Sequence, residues 1–134
     1  TKVDTFSRAT RILVDAMTAS GPRRLLCVTG FGAGETRGRG GFLYDVIFMP
    51  LVLKRIYDDK DVQEQIVRSS SLDWTIVRPG YLNDGPLTGR IDAIEEPARW
   101  RLGPISRADV AGYLVGAISD ASTFGKTPVL VARA

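Results

Sequence analysis

Residues 72–89, LDWTIVRPGYLNDGPLTG, constrain the fold most. Trp74, Thr75, Ile76 and Val77 form an uncharged run of aromatic and β-branched residues, the composition of a strand covered on both faces. Such a strand belongs to a parallel sheet between helix layers, so the chain is expected to be α/β. Arg78 ends the run, and Pro79 and Gly80 are expected to stop the sheet ladder there. In open α/β sheets ligands sit beyond the carboxyl ends of the strands. The turn after Val77 is therefore the first place to look for a site.

Size and charge narrow the remaining choices. A chain of 134 residues holds one domain with one core, and residues 1–134 are read as a single domain. An apolar content of 44% and a charged content of 25% are those of a globular protein rather than a disordered one. No apolar run approaches the roughly 20 residues of a membrane span. The N-terminal residues show no secretory signal. Cys27, the single cysteine, lies in a short apolar run and reads as a small core residue. A cytoplasmic setting is the expectation. The net charge of +3 is spread among acids, which argues against a nucleic-acid partner. With no histidine and one cysteine, a zinc site is not expected.

Residues 4–20 read as an amphipathic helix, with Asp4 as N-cap and Phe6, Ala9, Ile12, Leu13, Ala16 and Met17 on one face. Gly21 and Pro22 end it, and residues 25–29 follow as a buried strand. Six glycines then fall within residues 30–41, with Arg37 and Arg39 among them. Their spacing is GxGxG rather than GxGxxG, and the next helix is expected about ten residues later. A mobile loop, able to act as a lid, fits better than a pyrophosphate cradle. Residues 42–57 are apolar at nearly every turn, which suits burial on several sides or a homodimer face. A helix is expected over residues 58–70, capped by Asp58 or Asp59, with Val62, Ile66 and Val67 inward. Residues 90–94 suit a short strand or loop. Ser106 and Asp109 resemble a capping box, opening a helix to about Ser119 with Ala111, Leu114, Val115 and Ile118 on one face. Residues 129–131 close the chain with a strand.

The RLLCVT strand at residues 24–29, the segment LDWTIVRPGYL followed by NDGPLTG from residue 72, and ISRADVA at residues 105–111 occur in this order. Together they resemble the atypical short-chain dehydrogenase/reductase superfamily, in particular its NmrA-like and biliverdin-reductase-B-like NAD(P)-binding proteins. The resemblance covers nearly all of the chain. It implies a doubly wound parallel sheet, a partial NAD(P)-binding Rossmann fold. The family's phosphate-binding glycines lie on its first strand and helix, and nothing here matches them. The chain thus resembles the C-terminal half, and the cofactor site is expected to be completed by a missing upstream segment.

The resemblance also implies site residues. The family's Tyr-x-x-x-Lys pair transfers a proton and holds the nicotinamide ribose. Lys60 falls at the lysine position. The tyrosine position falls on Ile56, and the available phenol, Tyr57, is one residue short, which turns it by about 100° on a helix. Tyr57 and Lys60 are the candidate catalytic pair. The family's hydroxyl after the preceding strand falls around residues 29–31, where only Thr29 carries one; Thr29 and Gly30 are candidate cofactor contacts. Arg78, Pro79, Gly80, Tyr81 and Leu82 are expected to line the nicotinamide side of the cleft, with Lys60 on the ribose. An alternative for Arg78 is an ion pair with an acid such as Asp109. Asn83, Asp84 and Thr88 suit turns. The implied cofactor is NADP (or NAD), and the implied partners are that dinucleotide and a small-molecule substrate. The function implied is that of an NAD(P)-binding oxidoreductase-like protein. The alternatives are a non-enzymatic NAD(P)-sensing regulator of NmrA-like type, and a fragment with no binding of its own.

Overall fold

The computed structural model describes residues 2–37 and 52–134. Helix α1 (Thr5–Ser20) leads into strand β1 (Arg24–Val28), and helix α2 (Val52–Arg68) leads into β2 (Asp73–Pro79). Then come β3 (Tyr81–Asn83), β4 (Ile91–Ile94), β5 (Pro104–Ser106), helix α3 (Arg107–Ala117) and β6 (Val129–Ala132). The main sheet has the order β1-β2-β6-β4. Its first three strands are parallel and β4 closes one edge antiparallel to β6. β3 and β5 form a separate parallel pair.

Residues on β2 alternate between two helix layers. Ile76 packs with Leu25 and Cys27 of β1, Val14 and Met17 of α1, and Ile66 and Val67 of α2. Its neighbour Val77 packs on the opposite face with Leu130, Ile105 and Val110 of α3. Both are fully buried, as expected of a central parallel strand. The sheet is thus covered by α1 and α2 on one face and by α3 on the other, the doubly wound α/β arrangement.

Several local expectations change. Pro79 and Gly80 do not stop the ladder. Pro79 pairs in register with Leu130, and the Gly80 N–H donates to the Leu130 carbonyl at 3.0 Å. Pro79 stays in the ladder through its carbonyl, which accepts from Phe31 N–H at 2.9 Å. Gly80 is needed for a close approach, since a Cβ there would collide with the Gly103 carbonyl. On α1 the buried face is Thr10, Val14 and Met17, whereas Ile12 and Leu13 are 69% and 47% exposed. Two apolar stripes run side by side on this helix, and packing on α2 selects the narrower one. Asp4 makes no side-chain cap. Asp59 does so from α2, accepting from the N–H groups of Phe6 at 2.8 Å and Ser7 at 3.2 Å, and from the Ser7 hydroxyl. Asp58 and Asp59 therefore lie inside α2 rather than at its start, and Val62 points outward at 50% exposure.

Ser106 caps α3, accepting from Asp109 N–H at 3.0 Å. The Asp109 carboxylate turns away to hold Thr88 and Gly89. On α3 the inward residues are Val110 and Ala117, with Tyr113 and Leu114 partly buried; Val115 and Ile118 are exposed, against expectation. The apolar stretch at residues 42–51, with the dimer face read there, lies outside the described residues. Among the described residues no helix is long and apolar enough to cross a membrane.

Two substitutions test this account. Asp59→Ala removes the cap of a neighbouring helix and is expected to cost about 1–2 kcal/mol in chemical denaturation. Gly80→Ala drives a methyl into backbone and is expected to cost about 2 kcal/mol. An unchanged denaturation midpoint for either variant would contradict the contact described.

Candidate functional site

The two periodicities of the fold meet at the carboxyl ends of β1 and β2. On β1 the residues facing α2 are Leu25 and Cys27, and the alternation carries on to Thr29. On β2 they are Trp74 and Ile76, and the alternation carries on to Arg78. On α2 the facing stripe is Lys60, Glu64 and Val67, at helical spacing. Core residues thus give way to polar ones at the same level on all three elements.

Glu64 and Arg78 are 2% and 0% exposed in their side chains. Arg78 donates from Nε to Glu64 Oε1 at 3.0 Å and from Nη2 to Oε2 at 2.7 Å. Thr29 Oγ1 donates to Glu64 Oε1 at 2.7 Å. A second carboxylate, Glu35, accepts from Arg78 Nη2 at 2.6 Å and from Arg68 at 2.8 Å. Burial pushes the Glu35 carboxyl up, but the hydrogen bond from Arg78 and the arginine charges win and hold it below its usual range. Arg78 was expected to line the cofactor cleft or to pair with Asp109. It is ion-paired to acids, to Glu64 and Glu35 rather than Asp109, and its side chain is fully buried beneath the strand ends.

Lys60 is partly buried. Its ammonium donates to the Thr29 carbonyl and lies 5.2 Å from the ring centroids of both Phe6 and Tyr57. Burial lowers its pKa. Gly30 follows with φ +138°. A Cβ added there would lie 3.3 Å from the Tyr57 hydroxyl and 3.8 Å from the Lys60 ammonium. Tyr57 and Lys60 thus converge on the backbone of Gly30 although Tyr-x-x-Lys is one residue short. The side-chain space that Gly30 leaves empty is where the two polar tips come together.

The remaining expected contacts fall in two groups. Thr29 is 3% exposed and its hydroxyl is engaged by Glu64, so its side chain points into the protein. The backbone at Pro79 and Gly80, expected to be free for a ligand, is engaged by Phe31 and Leu130. Tyr81 and Leu82, by contrast, are 48% and 45% exposed. Cys27, one step below Thr29, has its thiol pushed up to about 11 by burial.

The glycine loop is held against α2 over residues 30–37. Gly34 N–H donates to Asp61 at 2.6 Å, and Arg37 bonds Asp58 at 2.9 Å and Asp61 at 2.8 Å. Burial pushes the Asp61 carboxyl up. A carboxylate of the protein therefore occupies the Gly34 N–H that a phosphate cradle would offer. A cleft of about 440 Å³ lined by Lys2, Asp4, Ser7, Arg55 and Asp59 includes none of Thr29, Gly30, Tyr57 or Lys60.

Sequence reasoning passed over Glu64, Glu35, Asp61 and Phe6. Glu64 had a usable signal: it continues the inward stripe from Lys60 to Val67, where a carboxylate must find a cation. Glu35 and Asp61 had none, because both contacts depend on how the loop over residues 30–37 docks on α2 and β2.

Comparison with known proteins gives a concordant result. A family model described as NAD(P)H-binding matches residues 1–121. An uncharacterized chloroplastic protein of Arabidopsis thaliana, At2g34460, is 30% identical over 138 residues, covering 99% of this chain and 46% of its own length. Among solved structures, ChuY, an anaerobillin reductase from Escherichia coli O157:H7, has a TM-score of 0.83 at 24% identity, covering 98% of this chain and 61% of that one. A short-chain dehydrogenase/reductase from Veillonella parvula in complex with NADP has a TM-score of 0.77 at 19% identity, covering 93% of this chain and 58% of that one. The two structures share the fold. The chain spans about half the length of the Arabidopsis relative and about three fifths of the two solved chains. With the family model matched over residues 1–121, the chain belongs to the NAD(P)H-binding family.

Proposed function

We propose that the chain carries the nicotinamide side of an NAD(P)H-dependent oxidoreductase site, with NADP the favoured cofactor. The observation that carries this reading is the convergence of Tyr57 and Lys60 on Gly30 at the carboxyl end of β1. The space a Cβ would fill there is bounded by a phenol and an ammonium, and the donor set suits a ribose and a reacting oxygen. The cofactor supplies hydride when bound. Lys60, fixed by the Thr29 carbonyl, keeps N–H groups for the ribose hydroxyls. Tyr57 exchanges a proton at its hydroxyl with the substrate. Tyr81 and Leu82 present apolar surface beside the cleft.

The pyrophosphate end is held, in this reading, by strands that add at the outer edge of β1. Within the described residues β1 pairs only with β2, Val28 is 41% exposed, and Ile12 and Leu13 of α1 stand uncovered. A further strand and helix would cover these surfaces, and the additional length of the relatives is enough to provide them.

Fluorescence titration with NADPH and NADH, on this chain and on one extended upstream by those strands, tests the proposal. The extended chain is expected to bind in the micromolar range. Lys60→Ala should weaken binding about tenfold, and Tyr57→Phe should bind as before but turn over about 100-fold more slowly. No binding by either chain rules out the cofactor reading. Binding without oxidation of NADPH by quinones, flavins or aldehydes would favour the regulatory sensor instead.

A further inference from the structure

Lys60 and Glu64 are four residues apart on one face of α2, the spacing at which lysine and glutamate side chains meet. Both are withdrawn from bulk water, which strengthens any attraction between them. Yet no ion pair joins them among the described residues. The Lys60 ammonium goes to the Thr29 carbonyl and lies against two rings, while both Glu64 oxygens go to Arg78 and one of them also to Thr29.

We propose that Arg78 is a positioning residue that keeps Lys60 unpaired, by holding the Glu64 carboxylate from two nitrogens so that it cannot close on the ammonium one helical turn away. The geometry is specific to arginine. The planar guanidinium presents Nε and Nη2 to the two oxygens of one carboxylate, which a lysine at 78 could not do. Charges alternate along the cluster, Arg68 to Glu35 to Arg78 to Glu64, and it is neutral without Lys60. Gly34 closes over it with φ +54°, and a Cβ there would collide with Arg78 Nη2 and Glu64 Oε2. Thr29 couples the cluster to the site, its hydroxyl fixed by Glu64 and its carbonyl receiving Lys60. Lys60 is left with N–H groups for neutral hydroxyl acceptors, of which a vicinal diol is the class that fits an ammonium on one wall. That a ligand diol meets Lys60 rests on the function proposed above; that Arg78 keeps Lys60 unpaired does not.

The test reads Lys60 directly with no cofactor present. The pH dependence of its acetylation by acetic anhydride, followed by mass spectrometry, reports its titration. The groups facing it are Glu64 and Tyr57 from α2, Cys27 from β1 and the uncharged ring of Phe6 from α1. Arg78→Met frees Glu64 to capture Lys60, and labelling at fixed pH should slow by about tenfold, one pKa unit. Glu64→Gln should speed labelling by no more than about threefold, because that carboxylate is held by Arg78 and only its field, not a direct pair, reaches Lys60. The double variant Glu64→Met/Arg78→Met should label within about twofold of the wild type, a charge-specific rescue that a purely structural role would not produce. Should Arg78→Met not fold, the other two variants decide. About tenfold faster labelling of Glu64→Gln would show that Glu64 was already the partner of Lys60 and would overturn the proposal. So would slow labelling in the double variant. A negative NADPH titration alongside the expected labelling pattern would count against the cofactor reading alone.

Discussion

The buried pair between Glu64 and Arg78 is the interaction on which the site depends. Two charges with 2% and 0% side-chain exposure are tolerable because both Glu64 oxygens accept from Arg78 Nε and Nη2, although Arg78 Nη1 is left without a hydrogen-bond partner. Removing one partner of such a pair costs about 3–5 kcal/mol, whereas replacing both by apolar groups is often neutral. Its value therefore lies less in net stability than in register. Arg78 comes from the end of β2, Glu64 from the middle of α2, Thr29 from the end of β1 and Glu35 from the loop. One cluster ties together the four segments whose relative placement sets where Lys60 and Tyr57 stand.

The cluster explains how a spacing one residue short of the family pattern still brings phenol and ammonium together. A helix fixes direction, but reach is decided by what the helix faces. Here α2 faces a strand end whose next residue has no side chain. Gly30 with φ +138° lets the backbone turn and leaves room for both tips. A residue with a Cβ at that position would press on Tyr57 at 3.3 Å, so the glycine and the shifted tyrosine belong together. The ring of Tyr57 then lies alongside the Lys60 ammonium, as does Phe6 from α1. These contacts limit where the lysine can swing without neutralising it.

The parts of the molecule that were legible in the sequence are those decided by neighbours along the chain. The run Trp74 to Val77 is buried on both faces as its composition requires, and Ser106 caps α3 as its spacing to Asp109 indicates. Lys60, singled out by the family resemblance, donates to the Thr29 carbonyl just beyond β1. The parts that were not legible depend on partners far along the chain. Asp59 reads as the cap of its own helix, and only the packing of α2 on α1 makes it the cap of another. Pro79 reads as a ladder stop, and only the partners on β6 and beyond β1 show that the ladder runs through it, with Gly80 N–H bonding Leu130 and the Pro79 carbonyl accepting from Phe31. Arg78 reads as a ligand contact, because nothing local reveals that Glu64 and Glu35 will both be brought to it. On α1 the periodicity itself was sound, but two apolar stripes satisfied it equally.

The asymmetry of the sheet bears on how a dinucleotide could be held. One edge is closed by the antiparallel strand β4, which pairs with β6 over residues 91–94. The other edge is β1, and the convergence of Thr29, Gly30, Tyr57 and Lys60 lies at its end rather than in mid-sheet. A ligand crevice in an open α/β sheet needs walls from strands on both sides of it. The wall described here is one of them: β1, β2 and the residues of α2 that face their carboxyl ends. Its Gly34 N–H is already taken by Asp61, so that N–H is not open to an anion. In the proposed reading the contacts to a pyrophosphate come from beyond β1, which among the described residues is an edge strand, next to exposed Val28 and the uncovered stripe of Ile12 and Leu13. The nicotinamide end in that proposed reading lies over Gly30, Tyr57 and Lys60, and affinity for the whole cofactor rests on what docks against β1.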